Sequence, residues 1–200
     1  RFLNMIRFDN NVTSLLQFDH LSDLYRIETL AGTVVPMLEQ ATLHNPLVQH
    51  IEIYHGNKDM PWEAYNSIFY RPDYRNAYSS WLPQDRTGMA ELASPGYVHI
   101  EPYKPEASNY APRNDPSPQL LTLYAPIVTY NGFNAVGVIE MHLRSDMLGK
   151  LTCGAGLDAY GVVGLVRSDG QLLCSSVPET NDDLLAAAAG GEPSASATVK

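Results

Sequence analysis

Leu120-Leu121-Thr122-Leu123-Tyr124-Ala125-Pro126-Ile127-Val128-Thr129, then Tyr130-Asn131-Gly132-Phe133-Asn134, then Ala135-Val136-Gly137-Val138-Ile139-Glu140-Met141-His142-Leu143, is the stretch on which the fold turns. Two runs rich in β-branched and aromatic residues flank an Asn-Gly turn, a strong short-range signal for a β-hairpin. Side chains alternate across a strand, so parity assigns faces. Leu121, Leu123 and Ile127 share one side of the first run, and Ile139, Met141 and Leu143 share one side of the second. This apolar side is expected to meet a helix. The opposite side offers Thr122 and Tyr124 from one strand and Glu140 and His142 from the other. These polar groups either point into a pocket or lie at a solvent-exposed strand end.

Upstream, about Asn10 to His44 reads as helix, with Leu24, Ile27, Ala31, Val34, Leu38 and Ala41 on one stripe. Pro36 lacks an amide hydrogen and clashes with the preceding turn, so a kink or restart is expected there, helped by Gly32. Asn45-Pro46 punctuates the chain. Val48 to Tyr54 follows as a strand, with Ile51 and Ile53 on one face and Val48 and Tyr54 on the other. Between Pro61 and Pro118, Ser67 to Tyr70 and Tyr97 to Tyr103 read as strands, Pro72 to Trp81 as a short helix, and Lys104 to Pro118 as an exposed loop. Downstream, a short helix is expected from Ser145 to near Gly154. A second hairpin then joins Gly161 to Arg167 and Gln171 to Ser175 around Ser168-Asp169-Gly170, and a further helix runs from Asn181 to Gly190.

Trp62, Tyr65, Tyr70, Tyr74, Tyr78, Trp81 and Tyr97 crowd the segment that would cover the polar sheet face. They read either as a ligand lid or as a satellite core under a long loop. Arg75 and Arg86 add guanidinium forks suited to a carboxylate or phosphate, or simply to surface ion pairs. The ligand-binding candidates are Trp62, Arg75, Tyr78, Trp81, His99, Tyr124, Glu140 and His142. No catalytic residue is assigned. The six histidines show no metal-ligand spacing, and nucleophile-elbow and phosphate-loop patterns are absent, so neither a metal nor a cofactor is expected. A pocket with His142, Glu140 and Tyr124 leaves a small hydrolase as the competing class.

The net charge of −9, from 13 Lys+Arg against 22 Asp+Glu, argues against nucleic acid as a partner. No apolar run approaches the roughly 20 residues of a spanning helix. The chain starts at Arg1 and stops at Lys200 inside a strand-like run, Ser194 to Lys200, which reads as a piece of a longer protein. Cys153 and Cys174 are either one disulfide or two buried thiols.

Three segments in this order resemble the extracellular Cache sensor domains of bacterial transmembrane receptors, in particular the double-Cache ectodomains of Gram-positive sensor histidine kinases. They are Asn45-Pro46-Leu47-Val48-Gln49-His50-Ile51-Glu52-Ile53-Tyr54, then Leu123-Tyr124-Ala125-Pro126-Ile127 with Gly137-Val138-Ile139-Glu140-Met141-His142-Leu143, then Val163 to Leu173. The resemblance implies an α+β fold: a long N-terminal helix (1–45) packed on a PAS-like antiparallel sheet (46–155), followed by a smaller, incomplete second PAS-like unit (156–200). It implies a small-molecule ligand held between sheet and lid. It further implies a parent protein in the cell membrane with this part outside, dimeric through segments absent here and carrying a histidine kinase. A chemotaxis receptor or cyclase output would suit the same ectodomain. The family's Arg-x-Trp-Tyr amino-acid signature is absent, so the resemblance does not name the ligand.

Overall fold

A computed structural model describes residues 2–18, 21–60, 67–94, 97–104, 120–129, 131, 134–144, 164–166 and 172–175. Its chain begins with two short helices, α1 (Phe2–Arg7) and α2 (Asn10–Gln17). Asp9 starts the second by accepting the Asn11 and Val12 amides at 2.8 and 3.0 Å, which satisfies two donors that a helix start leaves open. Ser22 likewise caps α3 (Asp23–Thr29), which runs into a π-helical turn at Leu30–Val34 and on into α4 (Val35–Leu43). The expected helix from Asn10 to His44 is thus interrupted, and it is preceded by α1.

The π turn resolves the conflict at Pro36. The Val35 amide reaches back five residues to Leu30, and Pro36 falls in the first turn of α4, where its missing amide costs little. The wider turn also corrects the expected stripe. Val34, Leu38 and Ala41 are buried, but Leu24 and Ile27 are 66% and 48% exposed, and Ala31 is exposed too. Ahead of Val34 the buried positions are Arg26 in α3 and Leu30 at the start of the π turn. A strict 3.6-residue period carried the stripe back through a turn that does not obey it.

Five strands form one sheet in the order β2-β1-β5-β4-β3, with β1 Val48–His55, β2 Ile68–Tyr70, β3 His99–Pro102, β4 Leu120–Val128 and β5 Ala135–Arg144. The β4–β5 hairpin is closed by the Thr129 amide donating to the Asn134 carbonyl at 2.9 Å. The sheet is mixed where an antiparallel one was expected: β1 and β2 run parallel, with Ile53 opposite Ile68 and His55 opposite Tyr70. A parallel neighbour needs a crossover longer than a hairpin turn, and residues 56–67 supply the length.

Helices cover one face of the sheet. Gly137 shows how closely they approach, because a Cβ there would lie 3.1 Å from Leu16 of α2, besides 2.8 Å from the Tyr54 carbonyl oxygen of the neighbouring strand. Ile127, Ile139 and Met141 are buried as parity predicts, while Leu123 and Leu143 are only half-buried. Two further short helices, α5 (Tyr74–Ala77) and α6 (Arg86–Leu92), belong to the other cover. Of these, α5 is shorter than the Pro72 to Trp81 expected, and α6, capped by Asp85, was not anticipated.

Arg7 is fully buried. Its guanidinium donates to the carbonyls of Leu92, Ser94, Tyr97 and Pro126, so α1, β4 and the end of α6 are tied by one side chain.

The chain divides into two compact units, Arg1–Ile100 with Thr122–His142, and Glu101–Leu121 with Leu143–Lys200. In the second, β6 (Gly164–Val166) and β7 (Leu172–Ser175) pair antiparallel with an irregularity between Leu165 and Val166, as the second hairpin predicts. The helices expected after Ser145 and Asn181, the strand expected at Ser194 to Lys200, the loop beyond Lys104, Trp62, Tyr65 and Cys153 lie outside the described residues.

Candidate functional site

On the sheet face away from α2 and α4, alternation along β1 and β5 places Glu52, Tyr54, Val138, Glu140 and His142 on one side, with Thr122 and Tyr124 from β4 beside them. Glu52, Glu140, His142 and Thr122 are all at most 1% exposed. Burying ionisable groups costs several kcal/mol each unless partners compensate, so their contacts matter. Tyr54 Oη donates to Glu52 Oε2 at 2.9 Å, and Tyr78 Oη donates to Glu140 Oε1 at 2.5 Å. His142 Nε2 faces both carboxylates, 3.5 Å from Glu52 Oε2 and 3.9 Å from Glu140 Oε2. The other ring nitrogen, Nδ1, lies 3.1 Å from Thr122 Oγ1. At the margin, His50 Nε2 stands 3.7 Å from Glu52 Oε1, and its ring stacks nearly parallel to that of His142 at 6.2 Å.

Aromatic rings lie over this cluster. Tyr78 sits 6.2 Å from Tyr54, 5.8 Å from Tyr124 and 5.9 Å from Trp81, centroid to centroid. Trp81 in turn stacks on His99 at 5.3 Å with only 13° between the planes. Trp81 and His99 are half-buried and form the outer layer; Tyr78 and Tyr124 are buried beneath. Leu82, Met89 and Leu92 extend the same core under α6. Arg71 lays its guanidinium over the rings of Tyr54 and Tyr78, 5.3 and 5.6 Å from their centroids, and donates to Tyr78 Oη at 3.4 Å.

Burial pushes the Tyr78 phenol well above its ordinary range. The Glu140 charge and the hydrogen bond to it push further the same way, so Tyr78 is a fixed proton donor. His50 is lowered, first by burial, against the upward pull of Glu52 and with the neighbouring His142 also lowering it. Neutral imidazole is thereby favoured at the margin of the cluster.

Of the residues singled out in the sequence, Tyr78, Trp81, His99, Tyr124, Glu140 and His142 come together at this face. Arg75 does not join them. Its Nη2 donates to the Ala135 carbonyl at 2.7 Å and its Nε to Tyr74 Oη at 3.4 Å, which fixes the guanidinium at the start of β5. Trp62 is outside the described residues. Sequence reasoning passed over Glu52, Tyr54, His50 and Arg71. For Glu52 the signal was present: it lies between Val48 and Tyr54 at the same parity, flanked by Ile51 and Ile53. Arg71 gave none, because ring stacking across separate elements leaves no spacing to read.

Glu52, Glu140 and His142 also form, among the described residues, a group whose ligand atoms all lie within 4.8 Å of one another. No protein-family model and no curated protein matches this chain.

Proposed function

We propose that the chain is a ligand-sensing domain of the extracellular Cache kind, whose site is the sheet face under the aromatic cover. One observation carries this reading: two glutamates and a histidine are buried beneath stacked rings, on the face the helices do not use. A face filled for stability alone is served better by apolar side chains, since a buried ionic group adds little net stability over a hydrophobic replacement. Recognition of a ligand accounts for retaining them. The parent protein would be held in a membrane with this part outside and would pass the signal to a histidine kinase. The resemblance of the β1, β4–β5 and β6–β7 segments supports that assignment. Among the described residues no helix is long and apolar enough to cross a membrane.

Signalling then requires that ligand favour one arrangement of the cover, since a ligand shifts a two-state receptor only by its differential affinity for the states. Trp81 and His99, the half-buried layer, are the rings that would move. Thermal-shift screening of the purified chain against organic acids, amino acids, sugars, nucleobases and metal salts tests the reading. A ligand present at 100 times its Kd stabilises by about 2.7 kcal/mol. Trp81→Ala and Tyr124→Ala are expected to reduce the shift produced by an organic ligand. A panel without any shift, or organic-ligand shifts unchanged in both variants, overturns it.

A further inference from the structure

We propose that the Glu52, Glu140 and His142 cluster binds a divalent first-row transition cation. This inference rests on the sensing reading above and narrows it to the ligand class.

Charge is the first argument. Glu52, Glu140 and His142 are each at most 1% exposed, and His142 Nε2 faces both carboxylates. Buried carboxylates are tolerated when they are paired or coordinate a metal, and one divalent cation would meet both at once.

Geometry is the second. His142 Nε2 stands 3.5 and 3.9 Å from the nearer oxygens of the two carboxylates, and all the ligand atoms fall within 4.8 Å of one another. Ligands about 2.0 to 2.1 Å from a tetrahedral ion are separated by about 3.4 Å. A small inward movement of the carboxylates closes the difference.

The surroundings have the form of a support for such ligands. Metal-bound histidines hydrogen-bond through the other ring nitrogen, and ligating carboxylates are themselves hydrogen-bonded. Here Thr122 meets the second nitrogen of His142, Tyr54 donates to Glu52, and Tyr78 donates to Glu140. His50, 3.7 Å from Glu52 Oε1, also lines an open groove with Leu38, Thr42, Leu43 and Ser67. It offers a fourth ligand and a way in from solvent. Mixed imidazole and carboxylate donors without thiolate suit zinc, iron(II) or manganese, whereas calcium and magnesium prefer oxygen alone. The ligands come from β1 and β5, which is why no local spacing announces them.

The test is calorimetric titration of ZnCl2, MnCl2 and MgCl2 into chelator-treated protein, for the parent chain, Glu140→Gln and Glu52→Gln. The expected result is one Zn2+ per chain, at least about ten-fold weaker in each variant. Circular dichroism checks that the variants fold. X-ray absorption on the Zn2+-loaded parent chain serves if they do not, where a shell of nitrogen and oxygen is expected. Absence of a saturable Zn2+ site, preference for Mg2+, affinity unchanged in folded variants, or sulfur in the shell each overturns the proposal. If Zn2+ fails but an organic ligand gives a shift lost in Trp81→Ala and Tyr124→Ala, the inference falls and the sensing reading stands. If neither binds, both fall.

Discussion

The two faces of the sheet are equally dry and chemically opposite. Along β5, Ile139 and Met141 turn toward the helices and Glu140 and His142 turn toward the rings, and all four are at most 4% exposed. On the helix face burial is its own compensation, because removing apolar surface from water is favourable at roughly 25 cal/mol per Å². On the ring face the same burial is a cost met by hydrogen bonds from Tyr54 and Tyr78 and one between Thr122 and His142. Exposure values alone cannot distinguish the two. What separates them is whether each side chain needs a particular partner or merely the absence of water.

Arg7 joins the two covers, and its loss is expected to have the largest effect on stability. Arg7→Met keeps much of the apolar stem but strips donors from the carbonyls of Leu92, Ser94, Tyr97 and Pro126. A cost of about 3–5 kcal/mol follows from unmet buried acceptors, measured by equilibrium urea denaturation. A loss below about 1 kcal/mol would show that water replaces the guanidinium.

On the helix face, Leu38→Ala removes a side chain that is 3% exposed and is expected to cost about 2–5 kcal/mol through lost contacts and a cavity. Leu24→Ala, formally on the same sequence stripe but 66% exposed, is expected to stay within about 0.5 kcal/mol. Equal costs at the two sites would contradict the phase change at the π turn.

The helix face carries one polar exception that sharpens the contrast. His55 is fully buried, its Nδ1 accepts the Asn57 amide at 3.2 Å, and burial lowers its pKa to about 4. The ordinary value is 6.5. As pH falls from 6.5 toward 4 the unfolded chain therefore binds a proton that the folded chain refuses, and stability drops by up to about 3 kcal/mol. Above pH 7 this contribution is complete and flat. Denaturation curves of His55→Gln are expected to lose that part of the acid dependence; an unchanged slope would assign it to other groups.

These contrasts show what could be read in advance. Strands β1, β4 and β5 were legible because alternation between Ile51, Ile53 and Tyr54, or between Ile139 and Glu140, is local. The ring-side grouping of Tyr78, Trp81, Tyr124, Glu140 and His142 followed from that parity and from aromatic crowding. The parallel pairing of β2 was not legible, since a three-residue strand has no orientation signal of its own. Helix α6 was missed because Gly88 interrupts so short a run. Arg75 misled because a guanidinium beside tyrosines looks the same in sequence whether it meets a ligand or, as here, the Ala135 carbonyl.

The π turn has a consequence in the language of insertions and deletions. The buried positions along α3 and α4 are Arg26, Leu30, Val34, Leu38 and Ala41, stepping by four, four, four and three. Excise the exposed Gly32 and the same side chains step by four, three, four and three, a regular helical stripe with both ends still in phase. The segment therefore holds one surplus residue, which the wide turn absorbs without rotating either flank. Pro36 pulls the other way, because in a regular helix its ring would collide with the carbonyl one turn back. Deleting Gly32 while keeping Pro36 would therefore force the proline ring against the carbonyl one turn back and strain the rod.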